Sequence, residues 1–419
     1  MKKIFLLLLS CTLLLSGCSN IDTTAQKVRA SENSTQGAPA QKGTADEDEY
    51  IKSVWLTYYE LQKLTDSANE NEFTRKAQSL IREIKQMGFN TLTIQVRPCA
   101  DAFYASKYFP SSKYCFGVQG ADMPYDPLKI ICSVCKQESI KAEAWINPYR
   151  VSQDNKIDAL SDSNIAKKWY SSKRKKSYVY VAKSSIHFNP AVNEVTRLIV
   201  NGVIEIVKNY DVYAIHFDDY FYPDTDEKID SEQYEKYKSK GGKLSLGDWR
   251  RENVSKMIKT VYSAVKKENP NVKFGISPAS NIKNDYSALY ADVEKWASED
   301  GYADYICPQI YFGFKNIYQP FMFTTKKWIG ITTSAKLYVG LALYKCGSAD
   351  KYASPDDKSI INEFKSSNNI IARQITYLSK LDEVQGFYVF SYSCLHSEKC
   401  KSEVENMLKA MKAAEKTAK

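Results

Sequence analysis

Residues 212–223 read Val212-Tyr213-Ala214-Ile215-His216-Phe217-Asp218-Asp219-Tyr220-Phe221-Tyr222-Pro223. The first half, Val212 to Asp218, is a short apolar run that suits a strand buried on both sides. The second half is a cluster of acids and aromatic rings closed by a proline. Amphipathic helical stretches lie on either side, Ala191 to Asn209 before it and Asp248 to Glu268 after a long loop from Tyr220 to Leu246. A buried strand between helices is the unit of a parallel α/β fold, and polar residues crowded at its C-terminal end suggest where such a fold keeps its chemistry.

The same unit recurs along the chain. Strand candidates are Ser53 to Tyr59, Asn90 to Val96, Lys141 to Asn147, Val212 to Asp218, Lys273 to Ser277, Asp304 to Tyr311, Lys336 to Leu343 and Gly386 to Ser391. Helical stretches alternate with them, among them Glu72 to Met87, Pro127 to Glu138 and Ile370 to Leu381, and Glu403 to Ala414 closes the chain. Eight alternations ending on a helix predict a single (β/α)8 barrel of the TIM type with long loops after the strands, spanning 50–419. An open doubly wound sheet competes, but no strand is followed by a GxGxxG or P-loop signature. A barrel requires polar residues at the C-terminal strand ends, and they are there: Arg97, then Trp145-Ile146-Asn147-Pro148-Tyr149-Arg150, His216-Phe217-Asp218-Asp219-Tyr220 and Pro308-Gln309-Ile310-Tyr311. By the two-residue period of a strand, Thr93, Gln95 and Arg97 share one side, which puts Arg97 at the barrel mouth.

The start of the chain differs in kind. Lys2 and Lys3 precede an apolar run from Ile4 to Leu15 and then Leu15-Ser16-Gly17-Cys18, which reads as a secretory signal over 1–17 that ends in a lipobox. Cys18 is then the acylated N-terminus, which would anchor the protein to a membrane on its extracytoplasmic side. Residues 18–49 are polar and short of large apolar side chains, as in a disordered tether. With the signal and lipid cysteines set aside, Cys99, Cys115, Cys132, Cys135, Cys307, Cys346, Cys394 and Cys400 permit disulfides without specifying any. Cys132 and Cys135 lie in an apolar helical run and read as buried structural thiols.

Of the 419 residues, 43% are hydrophobic and 26% charged, so the chain can bury a large core, and a disordered or collagen-like chain is excluded. A net charge of +9 is mild at this length and calls for no nucleic acid. No HExxH, paired CxxC or EF-hand pattern is present, so neither metal nor cofactor is expected, and nothing calls for more than a monomer. The basic run Lys167, Lys168, Lys173, Arg174, Lys175 and Lys176, interleaved with Trp169, Tyr170 and Tyr178, reads as a solvated face, or as a rim for an anionic polymer.

The segments Gly88-Phe89-Asn90-Thr91, Gln95-Val96-Arg97-Pro98, Trp145 to Arg150, Ile215 to Pro223 and Pro308-Gln309-Ile310-Tyr311 together resemble the glycosyl-hydrolase-like 10 (DUF187) family of exported bacterial proteins, from about Ile51 to about Ser393. The resemblance implies a glycosidase, with peptide-free peptidoglycan strands as one polysaccharide substrate class; the alternatives are a hydrolase of another bacterial or host polysaccharide and a barrel that only binds glycan. It also implies a histidine before Ala144-Trp145. This chain has Glu143 there instead, which adds a carboxylate and a candidate supporting acid if it faces the lumen.

Glycoside hydrolysis ordinarily needs two carboxyl groups. Asp218 and Asp219 are the first candidates, with Glu143 as a third; Asp219 could equally brace the loop that follows. A neighbouring Asp pair resembles the arrangement of substrate-assisted N-acetylhexosaminidases. The alternative is a direct pair in which Glu143 or Asp101 partners Asp218. Arg97 and Arg150 could clasp a sugar carboxylate, and Arg97 could instead hold Asp218 ionised. Asn147 and Gln309 suit hydroxyl and acetamide recognition. Trp145, Tyr149, Tyr220 and Tyr311, along with Trp55, Tyr222 and Tyr344, are candidates to line sugar subsites. His216 reads first as a hydrogen-bonded supporting group.

Overall fold

The computed structural model describes residues 49–66 and 69–417. The signal, Cys18 and all but the last residue of the tether lie outside the described residues.

Eight parallel strands close into a barrel: β1 (Ile51–Leu56), β2 (Thr91–Arg97), β3 (Lys141–Ile146), β4 (Ala214–Phe217), β5 (Lys273–Ile276), β6 (Tyr305–Ile306), β7 (Lys336–Leu341) and β8 (Val384–Val389). Each pairs with the next, and β8 returns to β1 with Gly386 opposite Ile51. A helix follows every strand: α1 (Glu70–Gln86), α2 (Pro127–Gln137), α3 (Asn193–Asn209), α4 (Leu246–Glu268), α5 (Val293–Ser298), α6 (Phe321–Ile331), α7 (Ile370–Leu378) and α8 (Lys401–Thr417). The (β/α)8 expectation is met.

Local sequence explains where the helices start and which side they bury. The Asn69 side chain accepts from Glu72 N–H to cap α1, Asp126 caps α2 with Pro127 in the first turn, and Ser245 caps α4. On α1 the buried residues Phe73, Ala77, Leu80, Ile81 and Ile84 recur at helical spacing, so one stripe faces the sheet. This produces two cores. The larger fills the space between barrel and helices; the smaller fills the lumen and includes Trp55, Trp145, Tyr305, Cys307, Tyr338 and Tyr388. Gly275 on β5 makes the second possible, because a Cβ there would lie 1.9 Å from the Tyr305 ring that crosses the lumen.

Four departures from the sequence reading have physical causes. β1 stops at Leu56, since the Glu60 carboxylate takes the Thr57 N–H and starts a helix over Tyr58–Thr65. β6 is reduced to two residues: beyond it only isolated bridges join Gln309 to Ala279 and Gly340, and Pro308 has no N–H for a ladder. The insertion after β3 carries a three-stranded antiparallel sheet (Arg150–Ser152, Val179–Val181, Ile186–Phe188). There Trp169 packs on Tyr178 and Phe188 and Lys167 pairs with Asp162, so part of the basic run is structural.

The fourth departure corrects the place of Arg97. The β2–β3 register slips between Gln95, opposite Trp145, and Arg97, opposite Ile146. This bulge reverses the inside–outside alternation, so Arg97 points out of the barrel. Its guanidinium lies 4.2 Å from the Phe109 ring centroid, in space left by Gly202 on α3, where a Cβ would be 2.8 Å from Nη1. The described cysteines are all free thiols, and Cys132 and Cys135 are buried on α2.

Candidate active site

A cavity of about 260 Å³ opens at the C-terminal ends of the strands. Its wall includes Trp55 from β1, Gln95 from β2, Trp145 from β3, His216 from β4, the loop residues Asp218, Asp219 and Tyr220, and Ser277, Gln309, Tyr311 and Phe390. Arg150 and Gln153 enter from the insertion, and Thr57, Tyr58 and Tyr59 from the helix after β1.

Asp218 is the most firmly held acid. Its Oδ2 accepts from Trp145 Nε1 at 3.0 Å and from Asn147 Nδ2, and its Oδ1 accepts from the Tyr220 N–H at 3.3 Å. The Asn147 amide is oriented in turn, because its Oδ1 accepts from Gln95 Nε2 at 2.7 Å, and Gln95 Oε1 accepts from the Tyr58 N–H at 3.2 Å. Burial, then the neighbouring Asp219 charge, raise the Asp218 pKa above the usual carboxylate range; Arg150 and the donors oppose them. Asp219 is raised by burial too, against the pull of the Gln309 amide and Arg150. With both carboxyls raised, the pair resists losing both of its protons.

Arg150 is the cation of the site. Its Nε donates to the Pro98 carbonyl at 2.7 Å, and its guanidinium faces the half-exposed Tyr220 ring at 4.8 Å. Arg97 is on the far side of the barrel wall, so the single nearby guanidinium that tempers the Asp pair is that of Arg150.

His216 lines the floor and is neutral, its pKa pushed down to about 3 by burial. Trp55 Nε1 donates to its Nε2 at 3.4 Å, which leaves the proton on Nδ1, 3.0 Å from the Tyr305 hydroxyl. Glu143 does not reach the cavity wall. It lies one layer deeper on β3, fully buried, accepting from Thr93 Oγ1 at 2.7 Å and Tyr388 Oη at 2.9 Å, with Oε2 3.9 Å from His216 Nδ1. Burial raises its pKa to about 7. It therefore supports the floor and cannot touch a substrate.

Of the other expected residues, Trp145, Tyr220, Gln309 and Tyr311 line the cavity, and Asn147 stands behind Asp218. Tyr149 is wholly buried away from it, and Tyr222 is committed to Asp230. Asp101 lines a separate small pocket, where Gln119 binds its Oδ2 at 2.7 Å. The sequence reading missed Thr57, Tyr58, Tyr59, Gln153, Ser277 and Phe390. Only the Thr57-x-x-Glu60 spacing was available as a signal that this stretch turns into a helix over the mouth. Among the described residues no group of three or more His, Cys, Asp or Glu is placed to hold a metal ion.

A sequence model described as glycosyl hydrolase-like 10 matches residues 50–356, which takes in the strand ends just described except that of β8. The chain belongs to the glycosyl hydrolase-like 10 family. It is similar to glycosyl hydrolase YngK of Bacillus subtilis (31% identical, 84% of this chain, 70% of that one). It is also similar to glycosyl hydrolase DigH of Escherichia coli (32% identical), where the match spans 64% of this chain and 65% of the relative. Among solved structures, the glycoside hydrolase domain of PgaB (BpsB) from Bordetella bronchiseptica shares the fold at a TM-score of 0.57 and 11% identity, over 86% of this chain and 98% of that domain. An α-L-fucosidase from Paenibacillus thiaminolyticus does so at 0.54 and 11%, over 88% and 50%. As a glycosyl hydrolase-like 10 protein, the chain is a glycoside hydrolase that acts on polysaccharide.

Proposed function

We propose that this glycoside hydrolase is exported, held at a bacterial membrane through an acylated Cys18, and cleaves cell-wall glycan, with peptide-free peptidoglycan strands as the substrate. The observation that carries the reading is the arrangement around Asp218 and Asp219. They are consecutive residues lining one cavity, and no other described carboxyl lines it, which does not suit an opposed pair on either side of a scissile bond. It does suit a substrate that supplies its own nucleophile, the acetamido oxygen of an N-acetylated sugar.

The hydrogen bonds divide the roles. Asp218 accepts three N–H groups and so is the better place for the negative charge, where it can orient an acetamide N–H. Asp219 retains the shared proton, gives it to the leaving oxygen, and takes one back from the water that opens the cyclic intermediate. Trp145, Tyr220 and Tyr311 offer ring faces to the sugar, and Arg150 meets a lactyl carboxylate if one is present.

The test incubates the body from Tyr50 onward with peptide-free glycan strands and follows new ends by mass spectrometry, beside an Asp218→Asn control. Fragments from the unmodified protein alone are expected. Cleavage of another acetylated polysaccharide but not of these strands would overturn the substrate. Equal cleavage by both proteins would overturn the role of Asp218.

A further inference from the structure

The loop after β6 and the first turn of α6 expose Ile317, Tyr318, Met322 and Phe323, each between 43% and 53% accessible, within seven residues of chain. Large apolar side chains exposed elsewhere on the described surface are Tyr59, Tyr108, Val118, Tyr220, Leu244, Tyr286, Tyr344 and Tyr352, and Tyr352 belongs to the loop joined to this one by the Ile317 N–H to Ala353 carbonyl bond. The next turn of α6 carries exposed Lys326 and Lys327, the latter with its ammonium 4.6 Å from the Phe323 ring centroid. From Tyr305 to Ala349 the sequence contains five lysines and no Asp or Glu. Acids on the adjoining segment are engaged: Glu363 by the Phe314 and Lys315 N–H groups, Asp350 by Lys345 at 2.7 Å, and Asp357 faces Lys315.

We propose that this tip is a shallow insertion surface for an anionic phospholipid bilayer. Helices of a (β/α)8 barrel run back from the C-terminal ends of the strands, so the N-terminal end of α6 points outward on the mouth side. Lys326 and Lys327 lie four residues behind Met322 and Phe323, about 6 Å along the helix. That offset matches the step from the acyl boundary to the phosphate layer for a surface that buries its apolar tip by 5–10 Å. A sugar surface would explain the rings but not Ile317 and Met322. A protein partner would not require lysines set one turn behind an apolar tip. Combined with the proposed wall-glycan activity, on which this one consequence rests, docking places the mouth over glycan next to the bilayer.

The test measures co-sedimentation of the chain from Ser19 onward, which carries no acyl group, with phosphatidylglycerol-containing and purely phosphatidylcholine vesicles. Binding is expected to the anionic vesicles, weakening with added salt and falling about tenfold or more in a Met322→Ser, Phe323→Ser double variant and similarly in Lys326→Gln, Lys327→Gln. Cleavage of soluble glycan should be unchanged in both, which separates this proposal from the catalytic one and shows that the variants fold. Absence of binding to anionic vesicles, equal binding by the tip variants, or binding to an anionic wall polymer in place of the vesicles would overturn it.

Discussion

Replacing Glu143 by Gln tests the placement of a carboxyl in the lumen, since the variant keeps the shape and removes the proton. In the folded protein Glu143 titrates at about 7 against an ordinary value of 4.5, burial being the cause. A pKa raised on folding means that the native state holds the proton more tightly than the unfolded chain. The stability this confers is fully present below the unfolded value and is lost as pH rises through the folded one. The window is thus roughly pH 4.5 to 7, and the 2.5 units between the two printed values amount to about 3 kcal/mol.

The assay is denaturant unfolding of the unmodified protein and of Glu143→Gln at a series of pH values, taking the difference at each. Subtraction cancels the other raised carboxyls, including Asp101, Asp218 and Asp219. The unmodified protein should lose about 3 kcal/mol relative to the variant between pH 4.5 and 7, with the difference level outside that window. A difference that stays constant with pH would show that Glu143 titrates as an exposed acid, and would refute the layered floor of Glu143, His216 and Trp55.

The remaining predictions address the site and its frame. Trp145→Phe keeps the ring and removes one donor to Asp218 Oδ2, so kcat should fall about tenfold or more with the fold unchanged by circular dichroism. Because both Asp218 and Asp219 are raised, the acid form persists toward neutral pH, and kcat/KM should decline on the alkaline side as the shared proton is lost; a profile rising steadily to pH 9 would contradict this. Gly202→Ala sets a Cβ 2.6 Å from the Phe109 ring and 2.8 Å from Arg97 Nη1, so unfolding should become easier by about 1–3 kcal/mol while KM on glycan stays the same.

The fold was legible because each strand is a short apolar run between helical stretches and its polar residues gather at one end. That pattern placed Trp145, His216 and Asp218 in the cavity wall, since each sits on or just beyond a strand whose alternation is regular, and Gln309 reaches it from the irregular stretch past the end of β6. It misplaced Arg97 because one extra residue in β2 reverses the count, and a bulge is set by the neighbouring strand rather than by local sequence. Tyr149 failed for a related reason: the chain leaves β3 at Ile146 and turns into a small sheet, so strand alternation no longer governs its direction. Gln153 was invisible because it reaches the cavity from that insertion, whose pairing spans more than 30 residues.

Moving Arg97 out of the mouth changes the charge balance of the cavity, and the result is internally consistent. The charged groups that remain at the wall are Arg150, Asp218 and Asp219, with His216 neutral and Glu143 below the floor. If the Asp pair keeps one proton, one negative charge faces one positive charge and the cavity is close to neutral. Losing that proton would leave an uncompensated buried carboxylate, which is the electrostatic reason the pair resists a second ionisation. A second arginine at the mouth would act in the same direction as Arg150, which already lowers both acids, and would weaken that resistance. On the proposed mechanism, the bulge that sends Arg97 behind the barrel wall and the donors that converge on Asp218 act together: one preserves a proton at the site, the other directs it to Asp219.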